Sequence, residues 1–312
     1  MVGVLWSLKV LMNKLLMEST PARRRMPSLP FLKWAGGKRR SLDTLQRWLP
    51  SPDEVECLVE PFVGGGSVFL GTDYRQYLLA DINADLIDVY LHARDDPSGL
   101  VKRLEKLFHD GNNEEAYRES KDEFNRISPG PEKSALFIYL NQHCFNGICR
   151  YNKRGIFNVP FGRRKSAYIP EAEIMAFARK TEQCRVSFFH AGFEDTLKMT
   201  TAGMFSGISC AVYCDPPYLP VSQTAGFTTY SGEVFTVAEH ERLADQLAEL
   251  HARKGMPVVI SASDTPFSHR IYGKAGFRLY GHQVSRTVSA SAASRKTAGE
   301  LTGVLMRNGN KR

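Results

Sequence analysis

The sequence predicts an α/β protein in which a Rossmann-like, doubly wound sheet is interrupted by a mainly helical insertion. Three observations support this fold. Short apolar strand-like runs alternate with helical patterns in both the first and the last thirds of the chain. A glycine-rich loop follows the first of these strands, where open α/β sheets bind ligands. Residues 84–180, between the two regions, carry many charges and look mainly helical, with a turn-rich basic segment after residue 143.

The first elements follow the order strand, loop, helix, strand. An amphipathic helix over residues 41–49 precedes them, because apolar residues recur there at helical spacing and Pro50 ends the pattern. The opening unit then consists of a strand over 55–59, a loop over 61–66, a helix from 67 and a strand over 77–80.

Within the helical region, Ser134–His143 predicts an apolar helix, and Asn152–Gly155 predicts the turn of a β-hairpin. The strand pattern returns afterwards. Thr236 and Glu239 form a capping box that begins a helix over residues 236–253. The late strands are predicted over 185–189, 208–214 and 257–260.

Composition narrows the class of partner and the compartment. The formal net charge of +8 favours an anionic partner, and nucleic acid is the usual one. The six cysteines form neither a Cys-x-x-Cys pair nor a Cys/His cluster at zinc spacing, so we predict reduced thiols, no metal and a cytoplasmic protein. Residues 2–17 are too short and too charged to span a membrane, and we expect no membrane partner.

The most informative segment is Asp215-Pro216-Pro217-Tyr218, which directly follows the predicted strand over 208–214. Neither proline can donate a ladder hydrogen bond, and the first restricts Asp215 to an extended conformation. The strand therefore stops in a rigid loop that presents a carboxylate, a carbonyl and an aromatic ring. Such a loop suits an exocyclic amino group on a stacked nucleobase, although an ordinary turn remains an alternative for the tetrapeptide alone.

A second candidate site is the loop Glu60–Gly66, which includes Phe62, Gly64 and Gly66. Glycines let the backbone approach a ligand closely. Asp81 ends the next predicted strand, where an acidic side chain commonly accepts a hydrogen bond from a ribose hydroxyl. A nucleoside without phosphates fits this pattern, and a glycine turn beside a capping aspartate is the alternative.

Upstream, Trp34 and Lys38 flank a glycine pair, so an indole face and an ammonium group are directed at one place. A small zwitterion with a carboxylate would suit Lys38. In isolation, this segment is better explained as a surface turn.

The segment Gln142–Pro170 combines basic and aromatic residues and has no acidic one. Basic side chains hold phosphates, arginine reads guanine edges, and an aromatic ring can fill a gap in a base stack. A solvated basic loop is the alternative, but it would expose the aromatic rings without a reason. The basic residues are Arg150, Lys153, Arg154, Arg163, Arg164 and Lys165, and the aromatic ones are Phe145, Tyr151, Phe157, Phe161 and Tyr168.

With these motifs in this order, the chain resembles the Dam family of adenine-N6 DNA methyltransferases. The resemblance runs from about residue 30 to residue 300. It rests on Phe-Leu-Lys-Trp-Ala-Gly-Gly-Lys (31–38), Val-Glu-Pro-Phe-Val-Gly-x-Gly-Ser-Val-Phe-Leu (59–70), Ala-Asp-Ile-Asn (80–83), Phe-Asn-Gly-Ile-Cys-Arg-Tyr-Asn (145–152), Phe-Asn-Val-Pro-Phe-Gly (157–162) and Asp-Pro-Pro-Tyr (215–218).

The resemblance implies a monomeric enzyme that transfers a methyl group from S-adenosylmethionine, without a metal, to N6 of a flipped adenine in double-stranded GATC. It also implies a catalytic domain over 27–83 and 185–312, a target-recognition domain over 84–184 and an extension over 1–26. Asp215, Pro216, Pro217 and Tyr218 would be catalytic. The donor would be held by Trp34, Lys38, Glu60, Phe62, Gly64, Gly66, Asp81 and Asp215. DNA would be contacted by Lys33, Phe145, Asn146, Ile148, Arg150, Asn158, Pro160 and Arg163.

Three departures from the family pattern and two rival functions remain. Phe145 stands where the family usually has tyrosine, Arg164 also replaces a tyrosine, and Ile148 takes the place of another aliphatic residue. Methyltransferases that act on RNA or on a protein glutamine have Asn-Pro-Pro-aromatic loops, whereas this chain has Asp215. A cytosine-C5 enzyme would need a Pro-Cys dipeptide, which does not occur here. A DNA-binding protein without catalysis is the remaining rival, although Asp215 and Tyr218 are intact.

Overall fold

The computed structural model describes residues 28–163, 166–201, 205–218, 235–285 and 297–306. The strands are β1 (Cys57–Glu60), β2 (Gln76–Asp81), β3 (Arg185–His190), β4 (Cys210–Cys214), β5 (Val258–Ser263), β6 (Arg278–Ser285) and β7 (Thr297–Leu305). The helices are α1 (Leu42–Leu45), α2 (Ser67–Gly71), α3 (Ala84–Asp95), α4 (Pro97–Phe108), α5 (Glu114–Arg126), α6 (Pro131–His143), α7 (Glu171–Glu182), α8 (Phe193–Met199), α9 (Val237–Lys254) and α10 (Pro266–Lys274). Short 3₁₀ turns cover Lys38–Arg40 and Phe145–Gly147.

The seven strands form one sheet in the order β3-β2-β1-β4-β5-β7-β6. The first five strands in this order run parallel, and β7 pairs antiparallel with both β5 and β6. This arrangement confirms the predicted Rossmann-like α/β class. The chain reverses its direction of winding between β1 and β4, which makes their carboxyl ends the topological switch point of the sheet.

Helices cover both faces of the sheet because neighbouring side chains on a strand point in opposite directions. In β1, Leu58 faces a core that includes α1 to α7, whereas Cys57 and Val59 face a core that includes α8 to α10. All of these strand residues are fully buried. Burial on both faces explains why the inner parallel strands β1, β2, β4 and β5 are mostly apolar runs.

The helical region packs around α6. Its ten residues from Ser134 to His143 are all buried, as predicted for an apolar helix, and α3, α4 and α5 surround it. Its core is continuous with one face of the sheet, because α3 also packs on β2 and β3. The boundary at residue 84 between two domains therefore stays a prediction.

Several element bounds differ from the prediction. The helix predicted over 41–49 is regular only over Leu42–Leu45 and continues as turns to residue 48. The last two strands were not predicted at all. The extension over 1–26, with its suggested helix, lies outside the described residues. None of the helices in the described ranges has the length and apolar character needed to cross a membrane.

Candidate active site

The predicted site residues meet at the switch point of the sheet. Glu60 is the last residue of β1, Asp81 is the last residue of β2, and Asp215 follows directly after β4. Because these strands are parallel neighbours, their carboxyl ends open on one edge. The arrangement agrees with the ligand-binding edge that the sequence predicts.

Asp215 belongs to a buried cluster of charged groups. The Lys38 ammonium lies 2.8 Å from Asp215 Oδ2 and 3.2 Å from Glu300 Oε1, and it also donates to the Gly36 carbonyl at 2.8 Å. The Tyr218 hydroxyl donates to Glu300 Oε1. The side chain of Lys38 is 5% exposed, against 19% for Asp215. Lys38 therefore holds the Asp215 carboxylate in place while that carboxylate keeps access to solvent.

The pKa values in this cluster show that burial and ion pairing oppose each other. Burial raises the pKa of Asp215 to about 6, although Lys38 pulls it down. Burial also opposes the ionisation of Glu300, but Lys38 and the Tyr218 hydroxyl outweigh it and lower the pKa of that carboxyl. For Lys38, burial is again opposed by both carboxylates, which together raise its pKa. Near neutral pH the three groups are charged.

Glu60 differs from Asp215 and Glu300 because it has no ion pair within the part of the chain that the structure describes. It is 1% exposed, and its Oε1 atom has no hydrogen-bond partner among the described residues. Burial and the neighbouring charge of Asp215 hold the pKa of Glu60 well above its usual range. Burial therefore disfavours the charged form of Glu60.

The glycine loop allows a close approach that a side chain would block. Gly64 and Gly66 have φ values of 47° and 69°, in the left-handed region that favours glycine. A Cβ atom on Gly64 would lie 2.8 Å from Nε1 of Trp34, so the indole rests directly on the loop. The Tyr90 hydroxyl donates a hydrogen bond to the Gly64 carbonyl. Trp34 and the glycine loop, two segments that the sequence proposes for the donor, are thus in contact.

Asp81 fixes the same loop from the end of β2. Its Oδ2 atom accepts from the Gly64 amide at 3.0 Å, and its Oδ1 atom accepts from the Asn83 amide at 3.0 Å. Burial raises the pKa of Asp81 to about 6, against the effect of these bonds. Next to it, Ile82 is 56% exposed. An acidic group and an exposed aliphatic side chain therefore stand together beside the glycine loop.

Pro217 and Phe62 contact residues of the helices α8 to α10, which cover one face of the sheet. The Pro217 carbonyl lies 3.0 Å from Nε2 of His240, and Nδ1 of the same ring lies 2.7 Å from the Tyr272 hydroxyl. A carbonyl can only accept, so Nε2 donates and Nδ1 accepts from Tyr272. Phe62 stacks on Phe193 with ring centroids 5.9 Å apart.

The basic and aromatic segment contains the predicted hairpin. Tyr151 and Phe157 form an antiparallel bridge, and the Asn152 amide donates to the Ile156 carbonyl at 2.9 Å across the turn. Arg150 is exposed, and its Nε donates to Asn158 Oδ1 at 3.1 Å. Two predicted DNA-contacting residues thus pair with each other on the outside of the hairpin.

The loop before the hairpin exposes an aromatic ring on a fixed backbone. Phe145 is 46% exposed, while its amide donates to the Pro160 carbonyl at 2.9 Å. Asn146 has a φ of 55°, and Ile148 is partly buried. Arg163 lies apart from this group and pairs with Glu114 of α5 at 3.1 Å. Arg164 and Lys165 lie outside the described residues.

Asn141 joins this loop to the segment that carries Trp34 and Lys38. Its side-chain amide accepts from the Lys33 amide at 2.8 Å and donates to the Lys33 carbonyl at 2.7 Å. It also donates to the Gly147 carbonyl at 3.2 Å. The Lys33 ammonium donates to the Gln142 carbonyl at 2.7 Å. The buried side-chain amide of Asn141 therefore contacts both the segment that carries the predicted donor-binding residues and the predicted DNA-contacting loop.

Comparison with known proteins assigns the family. A profile for the D12 class of N6 adenine-specific DNA methyltransferases matches residues 34–288. The chain belongs to this class. It is also 43% identical over 272 residues to the DNA adenine methylase of Serratia marcescens, covering 87% of this chain and 96% of the relative. The DNA adenine methylases of Escherichia coli K12 and Vibrio cholerae are each 42% identical, with coverage of 93% and 94% of their lengths. The protein is an adenine-specific DNA methyltransferase, and DNA is its substrate.

For this methyltransferase, sequence reasoning missed Glu300 and His240. Both had a signal. Glu300 is a single carboxylate directly before the apolar run 301–305, and a lone charge in such a run is rarely buried without a partner. His240 lies three and seven residues before Leu243 and Leu247, which places it on the buried stripe of α9.

Proposed function

We propose that the enzyme takes its methyl group from S-adenosylmethionine and transfers it to N6 of adenine in double-stranded GATC. The observation that carries the proposal is the Asp215 carboxylate, held by Lys38 at the switch point of the sheet. A carboxylate fixed there can accept a hydrogen bond from an amino group that would otherwise be delocalised into its ring.

Several observations fit the methyl donor. Gly64 and Gly66 leave room for close approach, Asp81 offers a carboxylate for a ribose, and the exposed Ile82 offers an apolar surface for a purine. Glu60 has an unpartnered buried oxygen. When bound, S-adenosylmethionine supplies an electrophilic methyl group, so the protein need not supply a nucleophile. The residues proposed to hold it are Trp34, Lys38, Glu60, Phe62, Gly64, Gly66, Asp81 and Asp215.

The catalytic loop makes the base amino group reactive. We assign Asp215 and the Pro216 carbonyl as acceptors for the two hydrogens of N6, which localises the nitrogen lone pair and stabilises the positive charge that develops on it. The Asp215 carboxylate is also the acceptor for the proton that N6 must lose. Tyr218 provides a ring for stacking, worth ~1–3 kcal/mol if it resembles other base–aromatic contacts. That stacking offsets part of the few kcal/mol that base flipping costs.

The hairpin and the loop before it are proposed to read GATC. The exposed ring of Phe145 on a fixed backbone suits insertion into the base stack, from which the adenine has left. Arg150 is exposed and oriented by Asn158, as a side chain that reads a guanine edge must be. Lys33, Asn146, Ile148, Pro160 and Arg163 complete the proposed contacts.

The test uses purified protein, labelled S-adenosylmethionine, and duplexes that contain GATC or one of its single-base variants. The treated DNA is digested to nucleosides, and the labelled nucleosides are identified by mass spectrometry. We expect N6-methyldeoxyadenosine from the GATC duplex and little from the variants. Label on cytosine, equal label on all duplexes, or label on RNA of the same sequence would contradict the proposal.

A further inference from the structure

Glu300 connects three segments that are far apart in the sequence. It lies on β7, opposite Ser263 of β5 and His282 of β6, and is 6% exposed. Its Oε1 atom accepts from the Tyr218 hydroxyl and lies 3.2 Å from the Lys38 ammonium. Its Oε2 atom accepts from the Ser41 hydroxyl at 3.2 Å. One buried carboxylate thus contacts both the cation beside Asp215 and the aromatic residue of the catalytic loop.

The cluster contains more negative charge than Lys38 can neutralise. Asp215 and Glu300 share this one ammonium, at 2.8 Å and 3.2 Å. Burial raises the pKa of Glu60 well above its usual range and so disfavours a further negative charge there. His282 Nε2 lies 3.3 Å from Glu300 Oε2. The two carboxylates and the one ammonium together carry one excess negative charge.

We propose that Glu300 is a positioning residue for methyl transfer, which orients Tyr218 and, by sharing Lys38, leaves Asp215 with an incompletely neutralised carboxylate. This inference rests on the function proposed above. The excess negative charge faces the place where N6 becomes positive during the reaction. A preorganised charge of opposite sign stabilises that transition state without any cost of reorganisation.

The charge of Glu300 can be separated from its shape by two substitutions. Glu300→Gln keeps the size and an oxygen that accepts from Tyr218, but it removes the charge. Glu300→Asp keeps the charge on a shorter side chain. If Glu300 were purely structural, Glu300→Gln would keep more activity than Glu300→Asp. If its charge matters, as proposed, Glu300→Asp keeps more activity.

The experiment measures the single-turnover methylation rate on GATC duplexes, because product release limits many steady-state rates. We expect Glu300→Gln to lose about a hundredfold in rate, as for the loss of one preorganised electrostatic group. We expect Glu300→Asp to retain more activity than Glu300→Gln. Ser41→Ala is the matched control, since it removes a neutral hydrogen bond to the same carboxylate and should cost about fivefold or less.

The pH profile gives a readout that a structural role would not move. Removing the charge of Glu300 takes a negative group away from Asp215, so the acid limb of the rate should move to lower pH in Glu300→Gln. The titratable groups that face Asp215 are Lys38, Glu60, Tyr213, Cys214, Tyr218 and Glu300, with His282 beside Glu300. All of them are unchanged in the variant except Glu300 itself.

The outcomes separate this inference from the proposed function. An inactive wild type refutes the proposed function. An active wild type with an equally active Glu300→Gln, or a glutamine variant that exceeds the aspartate variant with an unmoved acid limb, refutes only the role of Glu300. Calorimetry of donor and DNA binding accompanies the rates, and we expect both affinities to be retained in Glu300→Gln because the charge acts on the transfer step. A rate loss that follows lost binding alone would also overturn the proposal.

Discussion

At the scale of single residues, Asp215 carries the chemistry, and its removal should abolish methylation while the fold survives. Lys38 would still have Glu300 as a partner, so Asp215→Ala leaves no buried cation alone. The check is the methylation rate of the purified variant together with its thermal melting curve. Near-normal turnover by a folded Asp215→Ala protein would refute the assigned mechanism.

The same requirement predicts the pH dependence of the wild type. Asp215 must be ionised to accept from N6, and burial raises its pKa to about 6. The single-turnover rate should therefore fall as the pH drops below about 6. A rate that stays constant to pH 5 in protein that remains folded would contradict the requirement for an Asp215 carboxylate with a pKa of about 6.

Asp81→Ala should weaken binding of S-adenosylmethionine more than binding of DNA. The substitution removes the proposed acceptor for the ribose and also the acceptor for the Gly64 amide in the glycine loop. Titration calorimetry with each ligand measures the two affinities separately. An unchanged affinity for S-adenosylmethionine would contradict a donor site at the carboxyl end of β2.

Two of the acidic residues that the sequence predicted lie at the end of a strand or directly after one. Asp81 and Asp215 could be located because a strand end and a following carboxylate are adjacent in the chain. Glu300 and His240 act on the same loop from residues far along the chain, through contacts at separations of 82 and 23 residues. They reach this loop because β7 pairs with β5, the neighbour of β4, and because α9 shares a core with β4.

At the scale of elements, the hairpin makes a sharp prediction about specificity. Arg150 is oriented by Asn158, whereas Arg154 is an exposed residue at the turn. If Arg150 reads a guanine, Arg150→Ala should lose ~1–3 kcal/mol of discrimination at one base pair. Arg154→Ala is the matched control and should weaken all sequences about equally, with a salt slope reduced by roughly one.

The measurement compares methylation of GATC with that of its single-base variants for both arginine variants. Relaxed specificity at one position in Arg150→Ala only is the expected result. Equal and sequence-independent losses in the two variants would refute base reading by Arg150.

Helix α9 supports the catalytic loop through His240 and makes stability depend on pH. Burial lowers the pKa of His240 to about 4, below the ordinary value of 6.5, so the folded protein binds this proton less readily than the unfolded chain. Its contribution to stability is present above pH 6.5 and is lost as the pH falls towards 4.

The stability gap between wild type and His240→Gln should therefore shrink by about 2 to 3 kcal/mol from pH 7 to pH 4.5. Urea unfolding of both proteins at the two pH values measures it. A gap that does not change with pH would mean that His240 is not held neutral.

The strands that the sequence missed have physical reasons for their weak patterns. β7 contains Gly299 and Gly303, and a Cβ atom on Gly303 would lie 2.9 Å from Cγ2 of Ile260. These glycines allow close packing but weaken a strand signal. β6 lies at the edge of the sheet and has exposed positions, so it lacks the continuous apolar run of the parallel strands. The four inner parallel strands β1, β2, β4 and β5 were predictable because both of their faces are buried.

At the scale of the whole molecule, residues that are far apart in the sequence meet at the carboxyl ends of the parallel strands. Lys38 comes from the segment before β1 and Glu300 comes from the last strand, yet they meet at 3.2 Å. The buried amide of Asn141 then ties the Lys33 backbone to the loop of Phe145. Donor binding, chemistry and DNA contact are thus proposed to share one rigid edge. The net charge of +8 agrees with a polyanionic substrate.

The central claim is that Asp215 at this edge makes the chain a GATC adenine methyltransferase. The most direct test digests DNA from cells that lack adenine methylation and express either the wild type or Asp215→Ala. One nuclease is blocked by methylated GATC, and the other cuts only methylated GATC. DNA from wild-type cells should resist the first and be cut by the second, and DNA from Asp215→Ala cells should behave in the opposite way. Wild-type DNA that is cut by the first nuclease and not by the second, in cells that contain the folded protein, would contradict the account.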